Sequence, residues 1–226
     1  MGHLLEPTDV SQAAGAVTRA LADAAGADWS VRAGTLDWDV RTTIIHAASA
    51  TAKYSLSLSA QTRRRIVLRS IAYPDAYPSE LLIALGAVAD SLAQVAATAP
   101  PDARGFHLAG MADAEGFVAM ACAEILIHGS DAAAGLGLEL APPDDLCRRV
   151  AARLFPWAPQ DRPGWDTLAW ATGRIELPGL PGLDSSWILH CAPLMEWDGA
   201  MPRWQPVTEW VWDNQSHKWQ AVLAAS

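Results

Sequence analysis

The sequence predicts a mainly α-helical protein, with a four-helix bundle followed by a tryptophan-rich extension. Three observations predict this fold: long segments repeat apolar residues at three- and four-residue spacing, helix-capping residues precede them, and the composition changes sharply near residue 160. We expect residues 1–158 to form the bundle and residues 159–226 to form an extension that packs on it.

The bundle is expected to contain four long helices and a shorter one. Acidic or hydroxyl residues begin most of them, and glycine or proline ends three of them, as helix termini prefer. The expected limits are Thr8 or Asp9 to Gly26, Asp37 to Ala60, Ser79 to Pro100, Asp113 to Gly135 or Gly137, and Pro143 to Phe155.

The extension beyond Pro156 is interrupted by proline, so only short regular elements fit. One short helix is expected around Trp165–Thr172. Residues 207–212 and 218–222 alternate in polarity on either side of Asp213-Asn214, which predicts a β-hairpin. Eight tryptophans lie in this extension, and they carry more apolar surface than a short segment can bury within itself: Trp165, Trp170, Trp187, Trp197, Trp204, Trp210, Trp212 and Trp219.

Composition and charge limit the partners. Sixteen Lys and Arg against 25 Asp and Glu give a formal charge of −9, which opposes a broad phosphate-binding surface and disfavours nucleic acid. No uncharged apolar run approaches the roughly 18 residues of a membrane span, and the first residues lack the pattern of a secretory signal. We therefore expect a cytoplasmic protein with a small-molecule substrate.

The cysteines predict no disulfide framework. Cys122, Cys147 and Cys191 are odd in number and contain no C-x-x-C pair. We expect free, packed thiols, and helical geometry places Cys122 about 200° around its helix from Glu124.

The fourth helix carries a cluster of polar side chains on one face. Glu124, His128 and Asp131 follow each other at i, i+4 and i+7, which places them in one stripe. Burying a carboxylate there is costly unless a cation compensates it. His46 of the second helix supplies a third potential ligand, so a metal site between two helices is one interpretation. A Glu–His pair at the surface, with His46 on a solvent face, is the alternative.

These residues resemble the DinB-like helical bundles, and within them the mycothiol-dependent maleylpyruvate isomerase-like proteins of actinobacteria. The resemblance covers Thr8 to about Leu140, with one further motif after the bundle. It rests on Trp38-Asp39-Val40-Arg41-Thr42 before His46, on Glu124-x-x-x-His128-x-x-Asp131 before Gly135-Leu136-Gly137, and on Trp170-Ala171-Thr172-Gly173-Arg174.

The resemblance implies a metal-dependent enzyme. His46, Glu124 and His128 would bind a divalent metal, usually zinc, and a low-molecular-weight thiol such as mycothiol would act as cofactor. The thiolate adds to a conjugated double bond and leaves after rotation, which isomerises the substrate; related proteins transfer thiols to other electrophiles. A thiol-independent hydrolase, lyase or cyclase, and a metal-binding module without catalysis, are the alternatives.

Further residues have two interpretations each. Asp131 either orients His128 or forms an ion pair on the helix face, and Arg174 either binds a substrate carboxylate or bridges back to the bundle. Trp38, from the second helix, is expected to form a wall of the cofactor pocket. The tryptophan-rich extension either caps that pocket, covers another side of the bundle or forms a homodimer interface.

The remaining basic and histidine residues are expected to lie outside the site. The Arg63-Arg64-Arg65 run reads as a solvated connection, and His107, His190 and His217 have no partner at ligand spacing.

Overall fold

The protein is described by a computed structural model that covers residues 4–72, 75–183, 186 and 188–224, so Trp187 lies outside the described residues. The mainly helical fold and the C-terminal hairpin are confirmed, whereas the DinB-like assignment stays a prediction. The elements are α1 (Asp9–Ala22), α2 (Val40–Ala60), α3 (Pro78–Thr98), β1 (Gly105–His107), β2 (Gly110–Ala112), α4 (Ala114–Gly135), α5 (Asp144–Leu154), α6 (Gly164–Ala171), β3 (Val207–Asp213) and β4 (Lys218–Leu223).

Helix α4 is the centre of the bundle. It packs against α1, α2, α3 and α5, and most of its residues are buried. Small residues allow this close approach: a Cβ atom at Gly129 would lie 2.3 Å from Cγ2 of Val17 in α1. The face of α4 that carries Glu124, His128 and Asp131 lies next to α2.

Helix α2 begins later than the sequence predicts. Its N-cap is Asp39, whose side chain accepts the N–H of Thr42, and not Asp37. The reason is a local turn, in which the N–H of Ala33 donates to the carbonyl of Trp38 at 2.9 Å. Trp38 therefore lies just before α2 and does not belong to it.

Helix α3 also begins differently. Ser79 is not its cap, because Pro78 occupies the first helical position and Tyr77 precedes it as N-cap. Proline suits this position, where no N–H is needed. The carboxylate of Glu80 accepts the N–H of Tyr77 at 2.8 Å.

A short hairpin that the sequence analysis missed connects α3 and α4. Strands β1 and β2 pair antiparallel and contain only three residues each, too few for an alternating pattern to be visible. The N–H of Phe106 donates to the carbonyl of Thr62, which attaches β1 to the chain just after α2.

The extension packs on the bundle through its first half. Leu168 and Trp170 of α6 are buried, as is Cys191. The buried guanidinium of Arg153 in α5 donates to Asp113 at 2.6 Å and to the carbonyl of Cys191 at 3.3 Å. An ion pair deep in the structure thus joins α5, the start of α4 and the extension.

The tryptophans of the extension are less buried than expected. Trp170 is buried, whereas Trp204 and Trp212 are 56% and 38% exposed. The C-terminal hairpin contacts the rest of the protein mainly through the segment after α2 and through the β1–β2 hairpin. These contacts include an ion pair from Glu209 to Arg64 at 2.7 Å and a hydrogen bond from the indole of Trp210 to the carbonyl of His107. Its outer face is solvent-exposed.

Two described helices, α3 and α4, are long and apolar enough to cross a membrane by length and composition. The most apolar 18-residue window of α4 is 78% buried, and that of α3 is 39% buried. Core helices of soluble proteins are also long and apolar. Helix α4 is mostly buried at the centre of the bundle, as such core helices are.

Candidate metal centre

Three side chains from two helices converge between α2 and α4. Nε2 of His46 lies 3.5 Å from Oε2 of Glu124, and Nε2 of His128 lies 3.3 Å from the same oxygen. One ligand atom from each residue can be chosen so that all three lie within 4.8 Å of one another. The group could bind a metal ion.

The donor set fits a small divalent metal. A tetrahedral ion with bonds of ~2.1 Å has donor atoms about 3.4 Å apart, close to the two distances that end on Glu124. Two neutral imidazoles and one carboxylate are the ligands of many catalytic zinc sites, which keep at least one position open.

Glu124 is ionised in this environment. Burial opposes its charge, but hydrogen bonds and attraction from His128 and His46 outweigh burial and hold the pKa of Glu124 well below its ordinary value. Its second oxygen, Oε1, accepts a hydrogen bond from the hydroxyl of Tyr54 at 3.2 Å. The carboxylate is thereby oriented with Oε2 toward the two histidines.

Asp131 and Arg174 lie behind His128. Oδ2 of Asp131 is 3.3 Å from Nδ1 of His128, but the contact does not meet the geometry of a hydrogen bond. The same carboxylate pairs with Arg174 at 2.9 Å. Burial opposes protonation of His128, yet Asp131 and Glu124 together raise the pKa of His128 to about 9. Asp131 therefore lies between His128 and Arg174, and Arg174 bridges back to the bundle. A role of Asp131 in orienting His128 stays a prediction.

Trp38 covers the histidines from outside. Its ring centroid is 4.8 Å from that of His46 and 6.2 Å from that of His128, and it is 41% exposed. The indole therefore shields two of the three ligand side chains. A role in cofactor binding stays a prediction.

Two cavities reach the candidate metal centre from different sides. The His46-side cavity, of about 240 Å³, is lined by Lys53, Tyr54, Arg65 and His107 together with His46 and Glu124. The His128-side cavity, of about 260 Å³, is lined mainly by apolar side chains and by Thr172 and Arg174. Glu124 is the lining residue that the two have in common.

Sequence reasoning missed His107, Lys53 and Arg65. His107 is distant in sequence from the ligands, and the unpredicted β1–β2 hairpin carries it into the site. Burial lowers the pKa of His107 to about 4, so its ring is neutral at pH 7. Lys53 could have been found, because it lies two helical turns after His46 on the same face of α2.

The arginine run is exposed, as expected, but it also makes specific contacts. Arg64 pairs with Glu209, and the guanidinium of Arg63 lies 5.4 Å from the ring centroid of Trp219. Arg65 lines the His46-side cavity. The run therefore joins α2 to the C-terminal hairpin and is more than a solvated connection.

All three cysteines are free and buried. Burial raises the pKa of Cys147 and of Cys191 to about 12 and raises that of Cys122 as well. Among the described lining residues of the two cavities there is no cysteine. No thiolate of this chain is thus poised at the centre.

No family model, curated protein or solved structure matches the chain. The resemblance to maleylpyruvate isomerase-like proteins therefore rests on the motifs alone, and so does every property that it implies.

Proposed function

We propose that the protein is a metal-dependent enzyme that uses a small-molecule thiol to isomerise, or to transfer that thiol to, a small electrophilic substrate. His46, Glu124 and His128 hold the metal, with zinc as the proposed ion. When bound, such an ion acts as a Lewis acid that lowers the pKa of a thiol at its open position.

The observation that carries this proposal is the pair of cavities that meet at Glu124. A reaction between two small molecules needs two neighbouring subsites, and about 240 and 260 Å³ suffice for two compact reactants. The extension supplies Thr172, Arg174 and Leu189 to the wall of the His128-side cavity. The extension thus forms part of the proposed site.

The burial of the cysteines supports an external thiol. Each protein thiol has a raised pKa and lies outside the described cavity walls, so none can serve as nucleophile at neutral pH. The nucleophilic sulfur must then arrive as a cosubstrate.

The residues around the centre would orient its ligands. Tyr54 would fix the Glu124 carboxylate, and Asp131, itself held by Arg174, would attract Nδ1 of His128 from 3.3 Å away. Trp38 restricts access of water to the histidines.

A turnover assay tests the proposal. Maleate, a conjugated cis-alkene, is incubated with zinc-loaded protein and either mycothiol or cysteine, and fumarate formation is followed by NMR. We expect conversion that requires both thiol and metal and that is lost in Glu124→Ala. Conversion or hydrolysis of an electrophile without thiol would favour the thiol-independent enzyme. Stoichiometric metal with no turnover of maleate or other electrophiles would favour a non-enzymatic metal-binding module.

A further inference from the structure

Two cationic side chains line the His46-side cavity. The side chains of Lys53 and Arg65 form no hydrogen bond or ion pair with any residue in the described part of the chain. Burial lowers the pKa of Lys53, and the nearby charge of Arg65 lowers it further, while Glu124 acts in the opposite direction. Two like charges beside one cavity repel each other, so an anion between them would be stabilised.

Neighbouring cations are already neutralised. Arg64 pairs with Glu209, and Arg174 pairs with Asp131. The chain has a formal charge of −9, so acidic partners are plentiful. Among the described residues that line the two cavities, Lys53 and Arg65 are cations without an acidic partner, whereas Arg174 has one. Arg174, which the sequence left as either a binder of a substrate carboxylate or a bridge to the bundle, pairs with Asp131.

The two cations sit at defined positions relative to the metal centre. Lys53 follows His46 by seven residues, which is about 10.5 Å along α2 and nearly the same direction around it. Arg65 follows Arg63 by two residues. The carbonyl of Arg63 accepts a hydrogen bond from the N–H of Trp210 at 3.0 Å, so the C-terminal hairpin helps to fix the chain next to Arg65. The cavity thus has a cationic region and, beside His46 and Glu124, a metal-binding region.

The remaining walls favour an organic ligand over a bare inorganic ion. Ile66, Phe106 and Leu108 contribute apolar surface, which a carbon skeleton would cover. The volume of about 240 Å³ lies below the range of about 300–1,000 Å³ typical of drug-sized ligands, so the ligand is small.

We propose that the His46-side cavity binds a small organic carboxylate, whose carboxylate group is held by Lys53 and Arg65 while its other end faces His46 and Glu124. The orientation toward the metal rests on the proposed function. Recognition of the anion itself rests only on the cavity and its two cations.

Calorimetric titration tests the proposal with succinate as the probe and with succinamide, its neutral analogue. We expect succinate to bind both metal-free and zinc-loaded protein, and succinamide and inorganic phosphate each to bind at least about tenfold more weakly. Lys53→Met and Arg65→Met should each weaken succinate binding by about tenfold and leave the zinc dissociation constant within about twofold. Lys218→Met and Arg162→Met are the matched controls, because they remove the same charges from exposed sites outside the cavity.

Several results would overturn the proposal: no succinate binding, equal binding of succinamide or phosphate, or unchanged succinate binding in both cavity variants. The outcome is separable from that of the proposed function. If zinc fails to bind but metal-free protein binds succinate through Lys53 and Arg65, the carboxylate site stands and the metal assignment falls. If zinc binds and succinate does not, only the carboxylate site is refuted.

Discussion

The indole N–H of Trp210 donates a 2.8 Å hydrogen bond to the carbonyl oxygen of His107. This bond joins the C-terminal hairpin to the wall of the His46-side cavity, although no described hairpin residue is among those that line it. The C-terminal hairpin therefore helps to hold His107, a wall residue of the cavity, without lining the cavity itself.

Trp210→Phe should lower the free energy of unfolding by about 1 kcal/mol, because it removes this donor while keeping an aromatic ring. Trp204→Phe is the matched control, since Trp204 is 56% exposed. Chemical denaturation of both variants measures the difference. Equal stability of the two variants would show that the bond contributes nothing.

Truncation should separate the two halves of the extension. A chain that ends at Pro163 loses the buried residues Leu168, Trp170 and Cys191, so we expect it to be insoluble or to lack cooperative unfolding. A chain that ends at Pro206 loses only the hairpin and should keep its far-ultraviolet helical signal. A soluble, cooperatively folded chain ending at Pro163 would contradict this account.

Tyr54→Phe should weaken metal binding by about tenfold, because the carboxylate of Glu124 loses the hydroxyl that orients it. Competition with a chelator measures the affinity. Tyr77→Phe, at an exposed position before α3, should leave it unchanged. The same affinity in both variants would remove Tyr54 from the site.

Asp131 and Arg174 should act on His128 with opposite signs. Asp131→Asn removes a negative charge near Nδ1 and should lower the pKa of His128 in the metal-free protein from about 9. Arg174→Met removes a positive charge and should raise that pKa. NMR titration of the imidazole resonances measures both shifts, and shifts of the same sign would refute the arrangement.

Metal affinity should increase with pH. His128 must lose a proton to bind the metal, and its pKa is raised to about 9, so the metal-free protein is protonated there at pH 7. Below pH 9 the affinity should therefore rise by about tenfold per pH unit, and above it the increase should level off. Glu124 adds no dependence in this range, because its pKa is held low. Chelator competition at several pH values, corrected for the chelator's own protonation, tests this, and a flat profile between pH 6.5 and 8.5 would contradict it.

The helices could be predicted from the sequence because they are long and periodic. The N-caps of α2 and α3 could not be predicted. The turn between Ala33 and Trp38 places the start of α2 at Asp39, and Pro78 at the first helical position makes Tyr77 the N-cap of α3. The β1–β2 hairpin could not be predicted because strands of three residues are too short to show an alternating pattern of polar and apolar residues.

The three side chains of the candidate metal centre could be singled out because two of them share a helix face and the third lies in a recognisable motif. The cavity that adjoins them could not be predicted. His107 and Arg65 reach it through connections whose paths depend on tertiary contacts with Thr62 and Glu209. The spacing of residues along the sequence does not indicate such tertiary contacts.

The central claim is that His46, Glu124 and His128 bind one metal ion, and elemental analysis tests it most directly. Protein purified without chelators or a His tag should contain about one divalent metal per chain, and His46→Ala, Glu124→Ala and His128→Ala should each reduce that content while circular dichroism stays helical, because the apolar core does not include the ligands. Full metal occupancy in all three variants, or no metal binding by the wild-type protein even after incubation with zinc, would contradict the account.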